Sequence, residues 1–127
     1  MTDLNLGRIK REGFSLEPEV FGHHLVVRFT GNGDMSVVHT LDGYLKLVDS
    51  EMLRLELQEA VVDVRELYFM NSSCIKAFVS WIYRVSTTGS RYAIRFLANT
   101  RLHWQSNTLS ALQRMAPAVV SIEATEA

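Results

Sequence analysis

Apolar residues follow two different periods along the first half of the chain, and each period predicts an element. Residues 14–20 alternate between apolar and polar side chains, and residues 24–30 are rich in β-branched and aromatic types. Both patterns are typical of β-strands, and the turn at Gly22 predicts a hairpin in which Pro18 confines the first strand to an edge. From 36 to about 55 the apolar residues recur at the spacing of one helix face, which predicts the first helix.

The second half of the chain alternates strands with helices. An apolar run at 60–64, interrupted only by Asp63, predicts a central strand. The later predicted elements are a helix from Asn71 to about Val85, a strand at 92–97, a helix at 105–115 and a strand at 119–122. The order is β-β-α-β-α-β-α-β, so we expect an α/β fold with one mixed sheet, in which an N-terminal β-hairpin is followed by alternating helices and strands.

Three loops are expected at the carboxyl ends of the strands, at 31–34, 68–73 and 98–101. In sheets with parallel strands these ends form the usual binding edge. The second loop contains Ser72, which the topology therefore places in the middle of that edge. Asp34 in the first loop is a candidate for the same surface.

Composition narrows the classes of protein to which this chain can belong. Its 127 residues, 47% hydrophobic and 21% charged, are typical of a single domain spanning 1–127, with loose ends at about 1–12 and 124–127. With a net charge of −1 and no dominant basic stripe, nucleic acid is not an expected partner. No apolar run fits a signal peptide or a membrane span, and the single cysteine fits a reducing compartment. We therefore expect a cytoplasmic protein with no membrane partner and no cofactor.

The turn Asn71-Ser72-Ser73-Cys74 holds the most distinctive chemistry, because small hydroxyl residues meet a helix start directly after a core strand. Asn71 is a good N-cap, since its side-chain oxygen can accept a hydrogen bond from a free amide of the first turn. Capping alone accounts for such a sequence. The same helix start would also tolerate a phosphate on Ser72, which would add a charge of about −1.5 to −2 to the edge.

The stretch from Val61 to Trp81, VVDVRELYFMNSSCIKAFVSW, resembles the signature of STAS domains, the fold of bacterial anti-sigma factor antagonists. In that family a hydrophobic strand with an internal Asp leads to an Asp-Ser-Ser or Asp-Ser-Thr turn, then Gly and an apolar helix. The predicted order of elements matches the family as well. Asn71 replaces the usual Asp, and Cys74 replaces the usual Gly. Both departures are similar to the SiaC-like branch, a family of bacterial regulatory phosphoproteins.

The resemblance implies a non-enzymatic regulator that works by partner switching. Ser72, the first hydroxyl after Asn71, is by resemblance the phospho-acceptor, and Asn71 and Ser73 support it. The implied partners are a GHKL-type serine kinase, a PP2C-type phosphatase and a target protein, either an anti-sigma factor or a diguanylate cyclase. The unmodified form binds the target, and the phosphorylated form releases it.

The alternative is a scaffold or dimerisation module with the same fold that binds constitutively, without phosphorylation. Trp81 could serve as an aromatic anchor of the partner surface, together with Ala77 and Asp34, because aromatic residues dominate many interfaces. The opposing interpretation is that Trp81 closes the core. Its exposure in the structure decides between the two.

Two catalytic or metal-binding interpretations are weaker. Cys74 lies in the first turn of a helix, but a nucleophile would need His39 or His103 as a nearby base, and a small buried side chain is the favoured role. His23 and His24 are adjacent on a strand and point to opposite faces, so they make a poor chelate. No metal site is expected.

Overall fold

The computed structural model describes residues 4–89 and 92–125, which form a six-stranded sheet and three α-helices. The strands are β1 (Ile9–Arg11), β2 (Phe14–Phe21), β3 (His24–Gly33), β4 (Glu59–Met70), β5 (Ala93–Asn99) and β6 (Val120–Thr125). The helices are α1 (Val38–Arg54), which a 3-10 turn at Met35–Val37 precedes, α2 (Ser72–Thr87) and α3 (His103–Met115). None of the helices in the described ranges is long and apolar enough to cross a membrane.

The strands lie side by side in chain order, from β1 to β6. The pairs β1–β2 and β2–β3 are antiparallel, whereas β3, β4, β5 and β6 run parallel. Each parallel pair is joined by one helix, and right-handed crossovers put all three helices on the same face. The predicted α/β class, the mixed sheet and the order of elements are therefore confirmed, with β1 as an additional strand.

The core lies between the sheet and the helices, with α2 in the middle of the helical layer. Phe78 of α2 contacts two aromatic rings of the sheet, Phe29 at 5.6 Å and Phe96 at 5.7 Å between ring centroids. The helix neighbours α1 on one side and α3 on the other. This central position fixes the start of α2, and with it Ser72, against the end of the sheet.

Two of the predicted loops are in fact strand. β3 continues through Gly33 and β4 through Met70, and the two extensions pair with each other as far as Gly33 opposite Met70. A register shift between Arg28 and Thr30, which brings Thr30 opposite Glu66, breaks the alternation that would have marked the extension in the sequence. The loops predicted at 31–34 and 68–73 therefore shrink to the residues around Asp34 and the single residue Asn71.

The expectation of a loose N-terminus is wrong for the described part of that segment. Leu6 is buried, and the hydroxyl of Tyr44 in α1 donates a hydrogen bond to the carbonyl of Gly7 at 3.0 Å. The amide of Asn5 donates to a carboxylate oxygen of Glu51 at 2.7 Å. The edge strand β1 has three residues, of which only Ile9 is apolar, so no apolar alternation marks it in the sequence. At the other end, β6 extends to Thr125, and residues 1–3 and 126–127 lie outside the described ranges.

Candidate functional site

Asn71 joins the end of β4 to the start of α2. Its backbone is extended, with φ −78° and ψ 168°, and its amide donates a hydrogen bond to the carbonyl of Gly33 at 2.8 Å. The side-chain oxygen accepts a hydrogen bond from the amide of Cys74 at 2.9 Å, as an N-cap does. Asn71 therefore ties the start of α2 to the neighbouring strand β3 and leaves the first two helical residues, Ser72 and Ser73, outside its own bonds.

Ser72 is exposed at the first position of α2. Within the described residues its hydroxyl makes no hydrogen bond, so the oxygen is free to react or to be contacted. A helix start leaves its first backbone amides without partners inside the helix. Because the side chain of Asn71 accepts a hydrogen bond from the amide of Cys74, the amides of Ser72 and Ser73 are the ones left unpaired. Ser73 is half-buried. The site therefore offers one accessible hydroxyl beside two amide donors at the positive end of a helix dipole.

The turn between β3 and α1 forms the second wall of the site. Asp34 is exposed, and its carboxylate accepts a hydrogen bond from the amide of Ser36 at 2.9 Å and another from the Ser36 hydroxyl. These hydrogen bonds lower the pKa of Asp34. The thiol of Cys74 lies 3.6 Å from the carbonyl oxygen of Asp34. The contact joins this turn to the first turn of α2.

Large apolar side chains lie exposed around these two turns. Met35 is 67% exposed, Tyr68 56% and Phe69 48%. Tyr68 also lines an open pocket with Arg28 and Asp63 of the outer sheet face, so the exposed apolar side chains extend from the two turns towards that face. We call Met35, Tyr68, Phe69 and Ser72 the Ser72 surface.

Of the residues predicted for a partner surface, the structure places only Asp34 at this edge. Ala77 is buried, and Trp81 is fully buried, with its ring N–H donating a hydrogen bond to the hydroxyl of Tyr92 at 2.9 Å. The prediction that Trp81 and Ala77 lie on the surface is wrong. The reason is the central position of α2, because the flank that carries them is covered by α1. The exposed apolar residues that the sequence did not indicate at this edge are Met35 and Phe69, whose exposure depends on where the two strand extensions end.

Cys74 is fully buried, and burial, followed by the charge of Asp34, raises the pKa of its thiol. A nucleophilic cysteine needs the opposite shift. Packing is therefore the role that the structure supports. No cluster of three or more histidine, cysteine, aspartate or glutamate side chains is present within residues 4–89 and 92–125 that could hold a metal ion.

The third predicted loop, around Asn99, leads into α3. Two side chains of that helix contact the end of β4. The side-chain amide nitrogen of Gln105 donates a hydrogen bond to the carbonyl of Val64 at 2.6 Å, and the ring N–H of Trp104 donates to the carbonyl of Leu67 at 3.0 Å. The β4–β5 pairing ends at Asp63. The two side chains therefore satisfy carbonyls of β4 that have no strand beside them. Nothing in the sequence singles out Gln105, because a polar residue at a helix start is unremarkable until its neighbours are known.

Solved structures with the same fold give the wider context. A crystal structure of an anti-sigma factor antagonist from Mycobacterium paratuberculosis aligns with a TM-score of 0.68 over 88% of each chain, at 16% identity. The anti-sigma factor antagonist SpoIIAA in its unphosphorylated form aligns with a TM-score of 0.58, over 89% of this chain and 90% of that one, at 19% identity. No protein-family model matches the sequence, and no curated protein matches it significantly.

At these identities the similarity establishes the fold. The chain has the α/β fold of the anti-sigma factor antagonists, as the resemblance to STAS domains implied, and the similarity covers nearly all of it. The narrower resemblance to the SiaC-like branch stays a prediction.

Proposed function

We propose that this protein is a regulator that binds a target protein through the Ser72 surface and is switched by reversible phosphorylation of Ser72. One observation carries the proposal: the Ser72 hydroxyl is exposed at a capped helix start and makes no hydrogen bond within the described residues, and Met35, Tyr68 and Phe69 are exposed in the adjoining segments. The likeness of the fold to anti-sigma factor antagonists, one of them recorded in an unphosphorylated form, supports it.

The physical basis of the switch is desolvation. Burying Tyr68 and Phe69 against a target removes water from the neighbouring Ser72. A hydroxyl tolerates this, whereas a phosphate with a charge of about −1.5 to −2 does so only when a cation meets it. The helix N-terminus favours the anion in the free domain, so that phosphorylation leaves the fold intact and weakens the complex. Asn71 and Ser73 support the acceptor, Asn71 by holding the helix start and Ser73 by its adjacent amide.

The enzymes and the target in this proposal follow from the same resemblance. A GHKL-type serine kinase would modify Ser72, and a PP2C-type phosphatase would restore it. The target would be an anti-sigma factor or a diguanylate cyclase, and the exchange would take place in the cytoplasm. The domain itself would have no catalytic activity, which agrees with a buried Cys74 of raised pKa.

The acceptor is tested by intact mass after incubation with ATP and a GHKL-type kinase encoded beside the gene. We expect a gain of one phosphoryl group in the wild type and in Ser73→Ala, and none in Ser72→Ala. Ser73→Ala is the matched control, since it removes the neighbouring hydroxyl from the same turn. A gain that persists in Ser72→Ala would place the acceptor elsewhere.

The switch is tested by capture of the target with Ser72→Ala and Ser72→Asp. We expect Ser72→Ala to retain the target and Ser72→Asp to lose it, while Phe69→Ala weakens binding whatever stands at 72. Equal capture by both Ser72 variants, still dependent on Phe69, would instead identify a constitutive binding module.

A further inference from the structure

Acidic residues are absent from a long continuous part of the chain. Between Glu66 and Glu123 there is no Asp or Glu, although six of the thirteen Lys and Arg residues fall in that interval. The net charge of −1 hides this segregation, because all fourteen acidic residues lie outside the interval. Both α2 and α3 belong to the acid-free part, so the surface that they form together carries positive charge only.

A shallow apolar groove of about 370 Å³ runs between these two helices. Ile75 and Val79 of α2 line one wall, and Ala111, Leu112 and Met115 of α3 line the other. Val79 is 37% exposed and Met115 is 39% exposed, so water reaches apolar side chains along the groove. No charged side chain is among its lining residues.

On each of the two helices, an exposed cation is the chain neighbour of a residue that lines the groove. Lys76 follows Ile75 on α2, Arg114 precedes Met115 on α3, and both side chains are exposed. In the described part of the chain neither makes an ion pair or a hydrogen bond. The surface therefore combines an apolar floor with two unpaired cations and has no carboxylate of its own to neutralise them.

We infer that the α2–α3 groove binds an acidic amphipathic helix of the target protein. A helix that lays its apolar face into such a groove uses anchors at positions i, i+3 or i+4, and i+7. From Asn107 to Met115, both of which line the groove, α3 rises by about 12 Å, enough for roughly two turns of a bound helix. Carboxylates flanking those anchors meet Lys76 and Arg114. Nucleic acid fits less well, because its recognition needs dense clusters of cations rather than two beside an apolar floor.

The groove begins one helical turn from Ser72. This last step rests on the proposed function, and it deepens that function by naming the chemistry of the partner. A phosphate on Ser72 stands four residues before Lys76, the spacing at which side chains on a helix interact. It would neutralise that cation and repel an acidic helix. Phosphorylation of Ser72 would therefore weaken the binding of the acidic helix to the groove.

The test selects peptides from a phage-displayed random library, each about four helical turns long, on the immobilised unphosphorylated protein. We expect the enriched peptides to have a negative net charge and apolar residues at helical spacing. A double variant, Lys76→Glu with Arg114→Glu, should weaken their binding at least tenfold in fluorescence anisotropy. Ala111→Glu, which puts a carboxylate on the exposed wall of the groove, should abolish it.

A matched control variant keeps the outcome decisive. Leu47→Glu makes the same kind of change at a 53% exposed position on α1 and should leave binding unchanged. Recovery of basic or charge-neutral peptides, of peptides indifferent to Ala111→Glu, or of none at all overturns the inference. Selective binding to vesicles of anionic lipid, or self-association of the protein, with no acidic peptide enriched, also overturns it. Because these selections use unmodified protein, they can fail while Ser72 still accepts phosphate. Binding of the peptides undiminished in Ser72→Asp would overturn only the switch.

Discussion

At the scale of single residues, Asn71 serves both the fold and the proposed switch. Its side chain caps α2, while its backbone continues the pairing between β3 and β4. An aspartate would also cap the helix, but it would place a negative charge directly beside the hydroxyl of Ser72. Asn71 gives the same hydrogen bond without that charge, so in the proposed switch the phosphate would be the first charge on the turn from Asn71 to Cys74.

The contribution of this cap can be measured. We expect Asn71→Ala to lower the free energy of unfolding by about 0.5–2 kcal/mol, because the amide of Cys74 loses its acceptor. Asn71→Asp is the control, since a carboxylate accepts the same hydrogen bond and is favoured by the helix dipole. Urea unfolding followed by circular dichroism gives both values. A midpoint for Asn71→Ala equal to that of the wild type would refute the capping role.

The position of Ser72 could be predicted from the sequence because it depends on local signals, a strand, a cap and a helix start. Trp81 could not, since its burial depends on the packing of α1 against α2. Its ring N–H donates a hydrogen bond to Tyr92, and the Tyr92 hydroxyl in turn donates one to Asp49 of α1. The burial of Gln105 is likewise a consequence of where β5 stops pairing, which no single segment encodes.

At the scale of elements, β3 and β4 differ most from what periodicity predicts. The helices follow their apolar stripes closely, because a stripe is repeated over several turns. The two strand extensions are short, and a register shift divides them from the regular part of the strands. Their apolar residues Tyr68 and Phe69 are exposed rather than buried. Because these two adjacent apolar side chains are exposed, the extension lacks the strict alternation of apolar and polar residues that predicts a half-buried strand.

Gly31 is the residue that permits the extension of β3. Its φ is +99°, and a Cβ built there would lie 2.1 Å from the backbone oxygen of Gly13. That same carbonyl accepts a hydrogen bond from the amide of Asn32 at 2.8 Å, so the β1–β2 turn and β3 are held in close backbone contact. A side chain at this position would have to push two strands apart.

We expect Gly31→Ala to lower the free energy of unfolding by about 1–3 kcal/mol, because strain at positive φ adds to a clash with backbone. Gly43→Ala is the matched control, since a Cβ at that position in α1 meets nothing within 4 Å. It should raise stability by about 0.5–1 kcal/mol, as expected of alanine in a helix. Thermal unfolding of both variants measures the two effects. A Gly31→Ala protein as stable as the wild type would contradict the close contact.

The N-terminal segment is fastened to α1 through Glu51. Hydrogen bonds from Arg54 are the main cause that lowers the pKa of Glu51 to about 2, and the amide of Asn5 contributes as well. Because the pKa in the folded state lies below the ordinary value of 4.5, the charged form stabilises the fold. This stabilisation is complete above pH 4.5 and is lost as the pH falls towards about 2.

We therefore expect Glu51→Gln to be less stable than the wild type at neutral pH, and the two to converge as the pH falls from 4.5 to about 2. Urea midpoints measured across this range give the difference. Glu19→Gln, at an exposed position, is the control and should leave the curve of the wild type unchanged. A constant difference between Glu51→Gln and the wild type would show that the charge of Glu51 is not what fastens the segment.

At the scale of the whole molecule, the sheet has one face packed against helices and one outer face that no helix covers. Charged side chains that form ion pairs between neighbouring strands cover part of the outer face. Glu59 of β4 pairs with Arg95 of β5 at 3.0 Å, and Arg95 pairs with Glu123 of β6 at 3.3 Å. Val61 is buried although it lies outside the main core cluster. The charged layer therefore shields apolar sheet surface on the outer face from water.

Asp63 is the centre of this layer and decides whether it contributes to stability. Burial disfavours its charge, but the hydrogen bonds from Arg65 and the nearby guanidinium of Arg28 outweigh burial and lower the pKa of Asp63. We expect Asp63→Ala to lower the free energy of unfolding by about 1–3 kcal/mol, because the change removes a buried carboxylate that accepts charge-assisted hydrogen bonds from Arg65, a side chain that is itself 37% exposed and stays hydrated.

A double-mutant cycle separates this pair from simple loss of packing. Asp63→Ala combined with Arg65→Ala should cost less than the sum of the two single changes by about 1–3 kcal/mol. The exposed pair Lys46–Asp42 on α1, 3.3 Å apart, is the matched control and should show a coupling of about 0.3–0.5 kcal/mol. Raising the salt concentration should reduce the coupling of the exposed pair more than that of Asp63, because the carboxylate of Asp63 is buried and is screened less. Equal couplings for the two pairs would mean that the Asp63 pair contributes no more stability than an exposed ion pair, and that the burial of Val61 has another cause.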